Sequence, residues 1–175
     1  MNAATALPIT VRPEQAGDAG AVRAVLAGVF GGPAEADLVD RLRTSNDLVL
    51  ALVAEMDDRG IVGHIGFPRL AIDAPGGGSA RAVGLAPLAV AVDQWNRGIG
   101  SALIGRGLAV LAERGEQLVF VVGDPGYYDR FGFDAAAAAS FMSPYPGPHF
   151  MVLRLAQTAP SDGIVRYPSA FADLG

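Results

Sequence analysis

Residues 82–111, AVGLAPLAVAVDQWNRGIGSALIGRGLAVL, constrain this chain more than any other stretch. Residues 83–92 read as one strand, apolar on both faces, the pattern of a strand in the middle of a sheet. Beyond the glycines, Ile99, Leu103, Ile104, Leu108 and Leu111 recur at helical spacing until Gly115 stops them. In a strand, glycine turn and helix arranged this way, the unpaired N–H groups of the first helical turn can meet an anion, aided by the helix dipole. Gly98 and Gly100 carry no Cβ, so a phosphate can approach the main chain there. The alternative is that the glycines only make a tight turn and let the helix pack closely. The dinucleotide fingerprint GxGxxG does not fit. Its third glycine position is Leu103, and the turn follows three strands and two helices instead of the first strand.

The flanking sequence alternates strand and helix patterns. Residues 8–12 alternate like a short strand, and Asp18 can cap a helix carrying Val22, Val25, Leu26, Val29 and Phe30. A second helix is expected over 34–43, a buried strand over 48–56, a DDRG turn, and a hairpin partner over 61–72. After the loop APGGGS (74–79), a strand is expected over 117–122 and a short helix from Asp124 and Pro125 to Arg130. A polyalanine stretch, a proline-rich loop at 143–149 and a strand over 150–155 follow. The class is α/β. Residues 1–175 read as one domain, with a core of about 9–155 and a C-terminal extension over 156–175.

Composition narrows the function. With 51% apolar and 18% charged residues, the chain has material for one core. The longest apolar run, 82–92, is too short to span a bilayer and is interrupted by Pro87. Residues 1–15 lack a charged leader ahead of an apolar block. There is no cysteine, which excludes disulfides, thiolate metal sites and thiol nucleophiles, and a cytoplasmic location is expected. All 13 basic residues are arginines, so the Gly-Lys-Ser/Thr of a phosphate-loop NTPase is excluded. A net charge of −5 and the absence of an arginine stripe argue against nucleic acid as a partner. No converging set of ligand side chains is apparent, and no metal is expected.

At this point the sequence resembles the GNAT superfamily of N-acetyltransferases, whose signature is Gln/Arg-x-x-Gly-x-Gly/Ala after the fourth strand. The resemblance runs from about Ile9 to Leu155. The segments EADLVDRLR (35–43), VGHIGF (62–67), GLAPLAVAVDQWNRGIGSALI (84–104) and GDPGYYDRFGF (123–133) look like one bacterial branch of it. The last contains the Tyr-x-x-x-Gly-Phe that GNAT proteins commonly carry after the fifth strand. The resemblance implies a mixed, mostly antiparallel central sheet splayed between its fourth and fifth strands, with helices on both faces. It also implies acetyl-CoA as co-substrate in the split. Implied cofactor contacts are Leu88, Ala89 and Val90 on the strand and Trp95, Asn96, Arg97, Gly98, Ile99, Gly100 and Ser101 at the turn. The amides of 97–101 would hold the pyrophosphate. Trp95 departs from the signature, which has Gln or Arg there. If a side chain contributes, Gln94, Asn96 or Arg97 must substitute.

Acetyl transfer to an amine needs a neutral amine, a donor for the developing oxyanion, a proton for the departing thiolate, and both substrates held together. The resemblance puts the oxyanion donor near Leu88 and Ala89, just after Pro87, which has no N–H to pair in a sheet. It makes Tyr128, four residues before Gly132, the general acid and a cofactor contact. A phenol of pKa about 10 stays protonated at neutral pH. Tyr127 is expected to face the other way and pack. Glu35 is the preferred carboxylate for a general base, with His64, His149 and plain water left open. Without cysteine there is no acyl-thiol route, which favours direct transfer to a primary amine of a small molecule or peptide. Residues 30–45, 73–80 and 140–150 are expected to shape the acceptor pocket. The alternative function is a non-catalytic acyl-CoA-binding sensor. A homodimer is the expected assembly, and Ile164, Val165, Tyr167 and Phe171 either cover the sheet or meet a second subunit.

Overall fold

The structure, a computed structural model, describes residues 8–174; residues 1–7 and 175, including part of the stretch read above as lacking a leader, lie outside the described residues. The strands are β1 (Ile9–Pro13), β2 (Leu48–Met56), β3 (Gly60–Asp73), β4 (Ala82–Gly84), β5 (Leu88–Val90), β6 (Leu118–Val122), β7 (Phe141–Met142), β8 (Phe150–Arg154) and β9 (Gly163–Arg166). The helices are α1 (Ala19–Phe30), α2 (Ala34–Thr44), α3 (Ile99–Glu113), α4 (Pro125–Tyr128) and α5 (Ala135–Ala138). The central path of the sheet runs β1-β2-β3-β4-β6-β8, with β5 and β9 also on β3 and β7 on β9. Among the described residues only the β4–β6 and β7–β9 pairs are parallel. This is the mixed, mostly antiparallel α/β sheet that the resemblance to the GNAT superfamily implies.

Alternation along β2 and β3 sends successive side chains to opposite faces and so builds two layers. On one face, Leu52, Ile65 and Phe67 pack with Leu103, Ile104 and Leu111 of α3. On the other, Val53 and Ala89 pack with Val22 and Leu26 of α1 and Ala36 and Val39 of α2. Each fully buried aliphatic or aromatic side chain contributes about 1.5–3 kcal/mol. Helix α3 sits close to the sheet because Gly107 faces Phe67, where an added Cβ would lie 2.5 Å from the ring.

Three local readings change. The Asp18 carboxylate does not cap α1. It accepts from the Gln15 backbone N–H at 2.7 Å and pairs with Arg12, bracing the short turn before the helix. The helix from Asp124 stops at Tyr128 and continues as a tighter turn to Phe131. Part of the polyalanine stretch becomes α5, started by Asp134 accepting from the Ala136 N–H.

The largest change is in residues 83–92, which form two short strands rather than one. Ala91 donates to Val62 O, so the hydrogen-bonded pairs of β5 with β3 are Ala91–Val62, Ala89–His64 and Pro87–Gly66. Pro87 has no N–H to complete its pair. Its carbonyl accepts from the Gly66 N–H, while Ala86 supplies the donor to Gly66 O at 3.0 Å. β4, before this break, bridges β3 and β6, whereas β5 stays on β3 alone. The sheet therefore parts between β5 and β6.

The C-terminal extension closes on its own chain. β9 pairs with the far end of β3, and the helical turn Ser169–Asp173 buries Ala170 and Phe171 against Leu38 and Leu42 of α2. Among the described residues no helix is long and apolar enough to cross a membrane.

Candidate active site in the sheet split

The split exposes the polar edge of β5. Because Ala89 and Ala91 turn their backbone groups to β3, those of Leu88 and Val90 point the other way, into the gap. Trp95 confirms the direction: its indole N–H donates to Val90 O at 2.6 Å. Trp95 thus occupies the carbonyl of the strand that precedes it, and its ring stays 53% exposed along the groove.

Below this edge lies the glycine turn. Asn96 (φ 61°) and Gly98 (φ 79°) are both left-handed, and Gly98 is the residue from which α3 starts. Among the described residues, no N–H from Asn96 through Ser101 finds a backbone acceptor; the first bond inside the helix start is Ala102 to Gly98 O at 3.0 Å. A run of unpaired donors at a helix N-terminus is an anion cradle. It opens on a groove of about 630 Å³ that also receives Leu88, Val90, Tyr127 and Arg130.

Tyr127 and Tyr128 divide differently from the sequence reading. Tyr127 enters the groove instead of facing away. Its hydroxyl comes within 2.9 Å of where a Gly100 Cβ would stand, so the glycine leaves room for the phenol. The Arg130 guanidinium stacks over the Tyr127 ring at 4.7 Å and adds a cation beside the amides. Tyr128 lies behind it. Its ring rests on Gly123, where a Cβ would lie 2.5 Å from Cε2, and meets Phe133 and Tyr127 edge-on. Burial, with the neighbouring Tyr127, pushes its pKa up to about 12, so the phenol keeps its proton throughout the physiological range.

A second cavity of about 460 Å³ begins one residue from the groove: Ala86 lines it, whereas Leu88 lines the groove. Glu35 stands at its edge, on the first turn of α2. Of the segments expected to shape an acceptor pocket, 30–45 and 140–150 contribute, through Ala34, Glu35 and Tyr145, and 73–80 does not. Much of the wall is the C-terminal segment, through Tyr167, Phe171, Asp173 and Leu174.

Of the residues named from the sequence, Leu88, Val90, Trp95, Asn96, Gly98, Ile99, Gly100 and Ser101 line the groove. Ala89 turns its side chain into the α1–α2 layer, and the Arg97 side chain and Tyr128 stand off the lining. Gln94, which the sequence offers only as a substitute for the signature's Gln or Arg at Trp95, is a groove residue in its own right. It is 2% exposed, its Oε1 has no hydrogen-bond partner among the described residues, and it joins the groove with Val29, Tyr127 and Arg130. The one sequence signal for Arg130 was its spacing of three from Tyr127, which puts both on one helical face. His64 is wholly buried on the opposite face of the sheet, neither ring nitrogen has a hydrogen-bond partner among the described residues although Nε2 lies 3.9 Å from Glu14 Oε1, and it reaches neither cavity. His149 Nδ1–H donates to the Gly123 carbonyl oxygen at 3.0 Å, at the end of β6. Among the described residues no group of ligand side chains is placed to hold a metal.

Comparison with known proteins agrees with this geometry. Residues 10–136 match the family model described as an acetyltransferase (GNAT) domain. The chain is 36% identical over 165 residues to the N-acetyltransferase YhbS of Escherichia coli strain K12, itself uncharacterized, covering 92% of this chain and 97% of that one. The crystal structure of E. coli YhbS in complex with CoA superposes with a TM-score of 0.87 over 97% of this chain and 95% of that one. A GNAT family acetyltransferase from Brucella melitensis, solved with acetyl-CoA, is 34% identical with a TM-score of 0.78, covering 93% of this chain and 97% of that one. With a split sheet, a glycine-started helix beneath it and relatives matched over nearly their whole length, the chain belongs to the GNAT family of N-acetyltransferases.

Proposed function

We propose that this protein is a cytoplasmic, single-domain enzyme that transfers the acetyl group of acetyl-CoA directly to a primary amine of a small molecule or peptide. It belongs to the bacterial branch marked by the GDPGYYDRFGF segment at 123–133. The observation that carries the reading is the run of unpaired amides from Asn96 to Ser101, opening on a groove bounded by the free edge of β5. Those donors, with Arg130 beside them, fit a pyrophosphate, and relatives of this fold are solved with CoA and acetyl-CoA.

Acetyl-CoA bound there supplies an acetyl group on a thioester whose carbonyl oxygen gains negative charge as an amine attacks. The Leu88 N–H, which β3 leaves unpaired, donates to that oxygen; one such donor contributes about 2.7–4 kcal/mol in acyl transfer. Glu35 takes the proton of the incoming ammonium from the second cavity. Tyr128 gives its proton to the departing sulfur and is restored by the second proton that the attacking nitrogen sheds as the amide forms. Burial holds the phenol in its protonated form, ready to donate, and a dry site disfavours a free thiolate as well. A second reading of the acid rests on one observation, that Tyr127 rather than Tyr128 lines the groove. Turnover of Tyr127→Phe against Tyr128→Phe separates them.

The test of the reading is the melting temperature with excess acetyl-CoA, with ATP and NAD as controls. At about 100 times Kd the ligand adds roughly 2.7 kcal/mol, a rise of about 5–10 °C in a domain of this size. Gly98→Val, which forces a β-branched residue to a φ of 79°, should fold and lose the rise. No rise in the native protein refutes the reading. A rise without CoA release on any amine makes the protein an acyl-CoA sensor.

A further inference from the structure

The second cavity differs in chemistry from the groove. Its wall is aromatic: Tyr145 from the proline-rich loop meets Tyr167 edge-on at 4.9 Å, and Tyr167 meets Phe171 at 5.2 Å. Leu85, Phe120 and Val121 at the root of the split add an apolar floor. The charges on its lining are all of one sign. Glu35 and Asp173 stand there, and no arginine does. Asp173 is held by Arg41 at 2.9 Å, whereas Glu35 has no ion pair among the described residues.

These features select among amines. A polyamine or an amino sugar would bring several polar groups into a wall made of rings and aliphatic chains, and each unmatched group would lose its hydration. An anionic acceptor would meet the Glu35 carboxylate, which no arginine among the described residues offsets. A single ammonium on a flat apolar body satisfies both parts of the site, since the cation pairs with Glu35 and the body stacks on rings that also attract cations. The volume, about 460 Å³, lies within the range of small-molecule pockets. We propose that the acceptor is an arylalkylamine or a comparably compact apolar amine, with its ammonium directed to Glu35 and its body held by Tyr145, Tyr167 and Phe171. This rests on the acetyl-transfer reading and deepens it.

The test is CoA release by the full-length enzyme with 2-phenylethylamine and tryptamine, against spermidine and glucosamine, while calorimetry follows acetyl-CoA binding separately. The aryl amines should show kcat/KM at least about tenfold higher, the discrimination that a modest apolar contact gives. Phe171→Ala should raise KM for 2-phenylethylamine by about 10- to 100-fold with kcat and the acetyl-CoA Kd nearly unchanged. Because Phe171 also packs on α2, Tyr145→Ala, in a loop, serves as the second variant and should move KM the same way. Preference for spermidine or glucosamine overturns the inference and leaves the acetyltransferase reading standing. So does an unchanged KM in both variants, or acetyl-CoA binding with neither aryl amine accepted. Loss of acetyl-CoA binding itself removes both.

Discussion

Gly123→Ala should disable the enzyme without replacing any residue proposed to act in it. An alanine Cβ at that position would lie 2.5 Å from Tyr128 Cε2 and 3.0 Å from Cδ2. Carbon contacts settle at about 3.5–4.0 Å, so the ring must withdraw by roughly 1 Å. Gly123 does not adopt a left-handed backbone, so alanine fits the chain, and the change alone would be worth about +0.4–1 kcal/mol of stability. The ring cannot retreat freely, because Phe133 and Tyr127 stand edge-on at 5.8 and 5.0 Å. Overpacking of this kind costs about 1–3 kcal/mol, leaving the fold intact but slightly weakened. Misplacing a reacting group by about 1 Å costs on the order of 10²-fold in rate. We therefore expect kcat to fall about 10²-fold with the acetyl-CoA Kd within about threefold of native, measured by steady-state CoA release and calorimetry. Tyr128→Phe should lose about 10²–10⁴-fold, and the double variant should be no worse than the poorer single one, since both remove the same function. A Gly123→Ala enzyme with native kcat, beside an inactive Tyr128→Phe, would refute the argument that the ring must stay where it lies.

Two further outcomes can be read directly. Trp95 is the only tryptophan in the chain and lines the groove half-exposed, so a fluorescence titration with acetyl-CoA should show a saturable change. A flat titration alongside a rise in melting temperature would place the ligand elsewhere. His64 should make the protein acid-sensitive, because burial, with the Arg43 guanidinium nearby, pushes its pKa down to about 3. The imidazole is neutral when folded, and unfolding lets it bind a proton below its ordinary pKa of about 6.5, so stability falls as pH drops through that value toward 3. Between pH 7.5 and 5.0 the loss is about 2 kcal/mol, and urea unfolding of His64→Leu should show a pH dependence smaller by that amount. Identical dependence in both proteins would assign the acid sensitivity to other groups.

What could be read from the sequence was local. The helical stripe from Ile99 to Leu111, the glycines before it and the Asp124–Pro125 helix start depend on neighbours a few residues apart, and each appears where its spacing put it. Residues 83–92 misled because apolarity on both faces reports burial and says nothing of hydrogen-bond partners. The break depends on which strand takes the partner groups of Pro87, and Gly66 of β3, far away in sequence, decides that. The adjacent Tyr127 and Tyr128 point about 100° apart on a helix, so a sequence can say that they diverge but not which one enters the groove. That choice is made by how α4 docks against Gly100 and Gly123. The same holds for the second cavity, where Tyr167 and Phe171 come to stand beside Leu85 because β9 pairs with the far end of β3. Periodicity and turn chemistry act over single turns of chain and are written in it. Which donors stay unpaired, and which rings share a cavity, follows from long-range pairing that only the folded sheet establishes.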